Sequence, residues 1–88
     1  MTWKVELDSR AAKELRSLDP EARRRILRFL RERVATADDP RRIGRPLQGQ
    51  SAPLWRYRVG SFRLICSIED DRLIVLVVRV GHRREVYR

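Results

Sequence analysis

One cysteine and one histidine in 88 residues leave little room for several kinds of chemistry. Cys66 alone forms no internal disulfide, and with His82 it falls short of the three or four N and S donors of a zinc site. Asp70 and Asp71 sit beside Glu69 in an acidic turn, which reads as solvated chain rather than a magnesium site. No glycine-rich phosphate loop is present, and no stretch approaches the roughly 20 apolar residues of a membrane span. The N-terminal MTWKVELD mixes charges into its apolar residues, unlike a secretory signal. We therefore expect a cytoplasmic protein that uses neither metal nor cofactor. Lysine is scarce as well: Lys4 and Lys13 are the only two among 21 basic residues.

What is abundant is arginine. The net charge is +9, and it is unevenly spread. Residues 1–40 hold ten basic and eight acidic groups, whereas residues 41–88 hold eleven and four. The second half therefore carries the field. A guanidinium is planar, stays protonated, and matches phosphate oxygens two at a time. Such a surface suits nucleic acid or an acidic protein partner. The length fits one small domain, residues 1–88.

Periodicity gives the elements. Trp3, Val5 and Leu7 alternate with charged residues, as in a half-buried strand. Asp8 or Ser9 then caps a short helix striped by Ala11, Ala12, Leu15 and Leu18. Asp19-Pro20 restarts a helix, with Ala22, Ile26, Phe29, Leu30, Val34 and Ala37 at helical spacing. Residues 38–53 have no period and read as an irregular connection pinned to the core by Leu47. Trp55, Tyr57 and Val59 oppose Arg56 and Arg58 on the next strand; Gly60-Ser61 makes a hairpin turn. Phe62, Leu64, Cys66 and Ile68 oppose Arg63, Ile65 and Ser67 on the one after, which makes Cys66 a core residue. Leu73–Val78, apolar on both faces, is a central strand. The expected fold is a two-layer α+β domain: an N-terminal strand, a helical hairpin, then a mainly antiparallel sheet of hairpin-linked strands. The sheet face away from the helices is expected to be open and to carry Arg56, Arg58 and Arg63.

On one face of a strand, Arg56 and Arg58 stand about 7 Å apart. Arg63 joins them across the hairpin, and no acid lies between. Arg41, Arg42 and Arg45 in the connection and Arg83 and Arg84 in the tail extend the basic surface. Among such positive neighbours, Tyr87 or His82 is expected to act as a base for proton transfer. With no metal ligands in prospect, cleavage of RNA would use the substrate's own 2′-OH as the nucleophile.

Through WKVELDSRAAKELRSLD, IGRPLQGQ, LWRYRVGSFRLICSI and the ending RVGHRREVYR, the whole chain resembles the RelE/ParE superfamily of toxins, and more narrowly its RelE branch. It implies a type II toxin that enters the ribosomal A site and cleaves mRNA there, leaving a cyclic phosphate. It also implies a cognate antitoxin, acidic and partly disordered, from an adjacent gene. The family's basic strand positions fall on Arg56 and Arg58, its transition-state arginine on Arg63, its tail arginine on Arg83 and its terminal tyrosine on Tyr87. His82 lies where relatives carry a basic residue or a histidine. Better-known relatives have lysines at the positions of Arg56 and Arg58, so proton transfer shifts here to Tyr87 and His82. Some relatives continue into a C-terminal helix that moves on antitoxin binding; none is expected in a chain ending at Arg88. Two other readings share the fold: a ParE-like inhibitor of DNA gyrase, and a basic RNA-binding module without activity.

Overall fold

The structure is a computed structural model that describes residues 2–49 and 53–82. Strand β1 (Lys4–Leu7) leads into helices α1 (Ser9–Arg16) and α2 (Pro20–Phe29). Strands β2 (Arg45–Pro46), β3 (Trp55–Val59), β4 (Phe62–Glu69) and β5 (Ile74–His82) follow. They form one mixed sheet in the order β1-β5-β4-β3-β2, parallel between β1 and β5 and antiparallel elsewhere. The fold is thus the α+β arrangement read from the sequence, with β4 at the centre of the sheet and β5 an inner strand between β1 and β4.

Both helices start on an aspartate. Asp8 Oδ1 accepts the Ala11 N–H and Asp19 Oδ1 accepts the Ala22 N–H, each at 2.8 Å. Such a cap satisfies one orphan donor and contributes about 1 kcal/mol. Beyond Phe29 the second helix widens into a π-helical turn, Leu30–Val34, in which the Ala35 N–H reaches back five residues to the Leu30 carbonyl at 2.9 Å. This turn puts both Leu30 and Val34 in the core, and the Ala35 carbonyl accepts the Trp3 N–H at 2.8 Å. The start of β1 is fastened in this way.

The core lies between the helices and one sheet face. Ala11, Leu15, Ile26, Leu30 and Val34 meet Tyr57, Val59, Leu64, Cys66, Val75, Val77 and Val80. Val77 and Val80 point the same way because the β4–β5 register slips: Ile65 pairs with Arg79, but Cys66 pairs with Val77. Val78 is therefore the extra residue of a bulge, which inverts the alternation of β5. β1 covers β5 only as far as Val77. Past that point Glu14 of α1 covers the edge, its Oε1 accepting the Val80 N–H at 2.8 Å and its Oε2 the Arg79 Nε–H at 3.2 Å.

Three sequence readings need correction. The connection after α2 is not structureless: a 3₁₀ turn (Pro40–Ile43) and β2 lie within it. Leu47 is half-buried and stands outside the core cluster. Pro40 and Ile43 pin the connection instead, Pro40 fully buried and Ile43 packed against the core. Nor is the second sheet face uniformly open, since Arg63 (4% exposed) and Ile65 (3%) are both buried on it. Both lie on β4, which has a strand on either side, β3 and β5.

Candidate nucleic-acid interface

Cross-strand pairing places the arginines. Arg45 on β2 lies opposite Arg56 on β3, and Arg56 lies opposite Ile65 on β4. One row further on, Arg58 lies opposite Arg63, which lies opposite Gly81. Paired residues share a face, and Tyr57 and Val59 are in the core. Arg45, Arg56, Arg58 and Arg63 therefore all leave the sheet on the side away from the helices. Like charges set directly opposite destabilise a sheet by roughly the 0.2–1 kcal/mol that opposite charges contribute. Here two such pairs stand side by side. An anion between the guanidinium groups reverses the sign of that repulsion.

These four arginines, with Ile43 and Gly44, line a cavity of about 330 Å³. Among the described residues, no carboxylate is part of the lining. Arg56, Arg58 and Arg63 each have further interactions besides.

The wall of this cavity is held by Tyr57. Its hydroxyl donates to the Pro40 carbonyl at 2.8 Å, and its ring meets Phe29 edge-on at 5.7 Å. Gly44 passes so close that a Cβ there would lie 2.7 Å from Tyr57 Cε1 and 2.9 Å from the Arg56 carbonyl oxygen. Burial pushes the Tyr57 phenol above its ordinary range, and does the same to the Cys66 thiol. Both stay protonated at neutral pH and serve packing rather than proton transfer.

The other basic residues singled out in the sequence are distributed differently. Arg41 points away from the cavity: its guanidinium sits 5.9 Å over the Trp55 ring and bonds to Asp39 Oδ1 at 3.3 Å and Asp70 Oδ1 at 3.0 Å. It clamps the 3₁₀ turn to the β4–β5 turn. The hydrogen bond from Arg41 holds the Asp70 carboxyl below its usual range. Arg42 is exposed and does not line the cavity. His82 pairs in register with Phe62, and the two rings stack with centroids 4.6 Å apart. Phe62 packs against the core, so His82 leaves the sheet on the helix side, across from the arginines. Arg83, Arg84 and Tyr87 lie outside the described residues. Among the described residues no three His, Cys, Asp or Glu side chains form a group that could hold a metal ion, and no helix is long and apolar enough to cross a membrane.

Sequence reasoning found the arginine rows because strand alternation is explicit. It missed Ile43 and Gly44 as cavity wall. Their signal was faint: a glycine after an arginine pair, in a stretch without period.

A family model described as ParE toxin of type II toxin-antitoxin system, parDE, matches residues 5–87. Toxin RelG of Mycobacterium tuberculosis is 30% identical over 88 residues, which is 100% of this chain and 99% of that protein. Among solved structures, the toxin–antitoxin complex RelBE2 of M. tuberculosis contains a chain of 28% identity with a TM-score of 0.85, covering 94% of this chain and all of that one. A mutant form of the E. coli toxin RelE in the free state matches at 29% identity and a TM-score of 0.77, covering 99% of this chain and 92% of that one.

Proposed function

Because the chain belongs to the ParE toxin family of type II toxin–antitoxin systems, and within the RelE/ParE superfamily to the RelE branch, we propose that it is an mRNA endoribonuclease acting on the ribosome. One observation carries the reading: four guanidinium groups from β2, β3 and β4 line a single cavity, with no carboxylate beside them among the described residues. Such a cavity fits a phosphodiester and the extra charge it gains at the transition state.

The chemistry is substrate-assisted. The ribose 2′-OH attacks the adjacent phosphorus, the P–O5′ bond breaks, and a 2′,3′-cyclic phosphate and a 5′-hydroxyl result. Arg58 and Arg63 hold the scissile phosphate, and Arg45 and Arg56 hold the next along the strand. The proton of the 2′-OH passes to the phenolate of Tyr87, and the departing 5′-oxygen takes up a proton from solvent water. The tail arginine Arg83 belongs to the same group by its match to the family pattern. His82, stacked on Phe62 on the helix side, is left out of the proton transfer.

The partner is an acidic antitoxin. Several similar structures are described as complexes with the antitoxin RelB, and a toxin of net charge +9 suits an acidic chain. A groove lined by Val5, Leu7, Leu27, Leu30 and Ala35 with Arg31 offers it an apolar seat with a cationic rim. Copurification with the product of the adjacent gene, weakened by Leu27→Glu, tests this.

Mapping of mRNA 5′ ends after induction tests the activity. New ends within codons, absent for Arg58→Ala, are the expected result. The second reading, inhibition of DNA gyrase, is favoured by the ParE description of the matching family. It gives DNA damage without new ends.

A further inference from the structure

Beside the arginine cavity lies a second concavity of about 450 Å³, lined by Arg45, Pro46, Leu47, Gln48 and Arg56. We propose that it is a nucleobase subsite, which holds one unpaired base of an RNA strand whose phosphates lie on the arginines. This rests on the reading of the arginine face as an RNA phosphate site and adds to it a means of choosing sequence.

The two concavities share Arg45 and Arg56. A nucleotide whose phosphate bridges that pair has its base within reach of Pro46, Leu47 and Gln48. The volume is within the roughly 300–1,000 Å³ typical of small-molecule sites. Its lining mixes the two chemistries that a base requires. Pro46 and Leu47 offer apolar surface to the ring plane. The Gln48 amide has both a donor and an acceptor for the ring edge. Unpaired bases in RNA are recognised by such contacts, with planar guanidinium groups as further stacking surfaces. A glutamine amide matches the adjacent N6 and N7 positions of adenine, the base expected to gain most.

Backbone pairing fixes this wall before any ligand arrives. Arg45 and Pro46 pair with Arg56 and Trp55, and the Leu47 N–H donates to the Leu54 carbonyl at 2.9 Å. Leu47 itself is only half-buried, and Gln48 is exposed. A leucine that the core does not use, next to an exposed amide and two arginines, is suited to a ligand that is flat, apolar on its faces and polar at its edge.

The test is binding of single-stranded tetranucleotides, each of one base, by the full chain. They are made 2′-deoxy so that no attacking hydroxyl is present, and an abasic tetramer is included. For the unaltered protein, base-bearing tetramers are expected to bind about tenfold tighter than the abasic one, with adenine first. In a Leu47→Ala, Gln48→Ala variant that difference disappears while abasic binding is unchanged. Equal binding of abasic and base-bearing tetramers, or a base ranking that survives the double substitution, overturns the proposal. Codon-level 5′ ends report on the nuclease reading separately. Ends that persist beside an unaltered base ranking sink the subsite and leave the nuclease. Base-dependent binding without ends does the reverse.

Discussion

Arg63 is buried, charged and set against Arg58 across the hairpin, a combination that packing alone does not favour. A buried cation left over from core assembly is costly, and a neutral side chain of similar length would avoid the repulsion. Its fork geometry is what a phosphate uses. Arg63→Lys keeps the charge and loses the two-pronged contact. We expect that variant to fold normally by circular dichroism and to lower the rate of mRNA cleavage by about 10²-fold, the usual loss for one transition-state donor. An undiminished rate would remove Arg63 from the site. Arg41 shows the opposite case, an arginine consumed by structure. Because its bond depresses the folded-state pKa of Asp70, the pair stabilises the fold at neutral pH, above the unfolded Asp value of about 3.9. That stability is lost as the pH falls through the lower, folded value. Thermal midpoints of the parent and Asp70→Asn should therefore differ at pH 7 and converge in acid, whereas a gap that persists in acid would point to packing instead.

Among the elements, α1 is tied to the far end of β5 by Glu14. That residue caps the β5 edge where β1 runs out, taking the Val80 N–H and the Arg79 guanidinium. Glu14→Ala strands a part-buried backbone donor next to a cation. The expected loss is about 1–3 kcal/mol in urea unfolding, and Glu14→Gln, which can still accept, should recover much of it. No loss in either variant would mean that water serves the edge equally well. Nothing in the sequence marks this contact, because Glu14 and Val80 are 66 positions apart. The contrast with what was legible is physical. Period-2 alternation made the Arg56, Arg58 and Arg63 face visible, and Asp19-Pro20 marked a helix start by capping chemistry. The bulge at Val78 was hidden because an all-apolar run reads the same in either register. Burial of Arg63 and Ile65 was hidden too, since burial on the far face depends on which strands flank β4. The stack of His82 on Phe62 follows from strand pairing, which residue type does not announce. Gly44 was seen only as a loop glycine; its close approach to Tyr57 needs the folded chain.

For the whole molecule the governing quantity is charge. A chain of +9 binds any polyanion to some degree, so affinity alone does not separate a site from a diffuse field. Salt dependence separates them, because each neutralised phosphate releases counterions and adds about −0.7 to the slope of log K against log salt for a single strand. If RNA spans the Arg45–Arg56 and Arg58–Arg63 pairs, two phosphates are held there, and arginines elsewhere on the fold, such as those of α2, contribute only at long range. Arg56→Ala, which opens one pair, should then make the slope shallower by up to about 0.7. Arg23→Ala on α2, on the other layer of the fold, should leave it nearly unchanged although both variants lose one unit of charge. Equal changes for the two would mean that the field acts without a site, and the arginine cavity would then have no claim to a phosphate. Titrating a short 2′-deoxy strand at several salt concentrations against the two variants measures that difference directly.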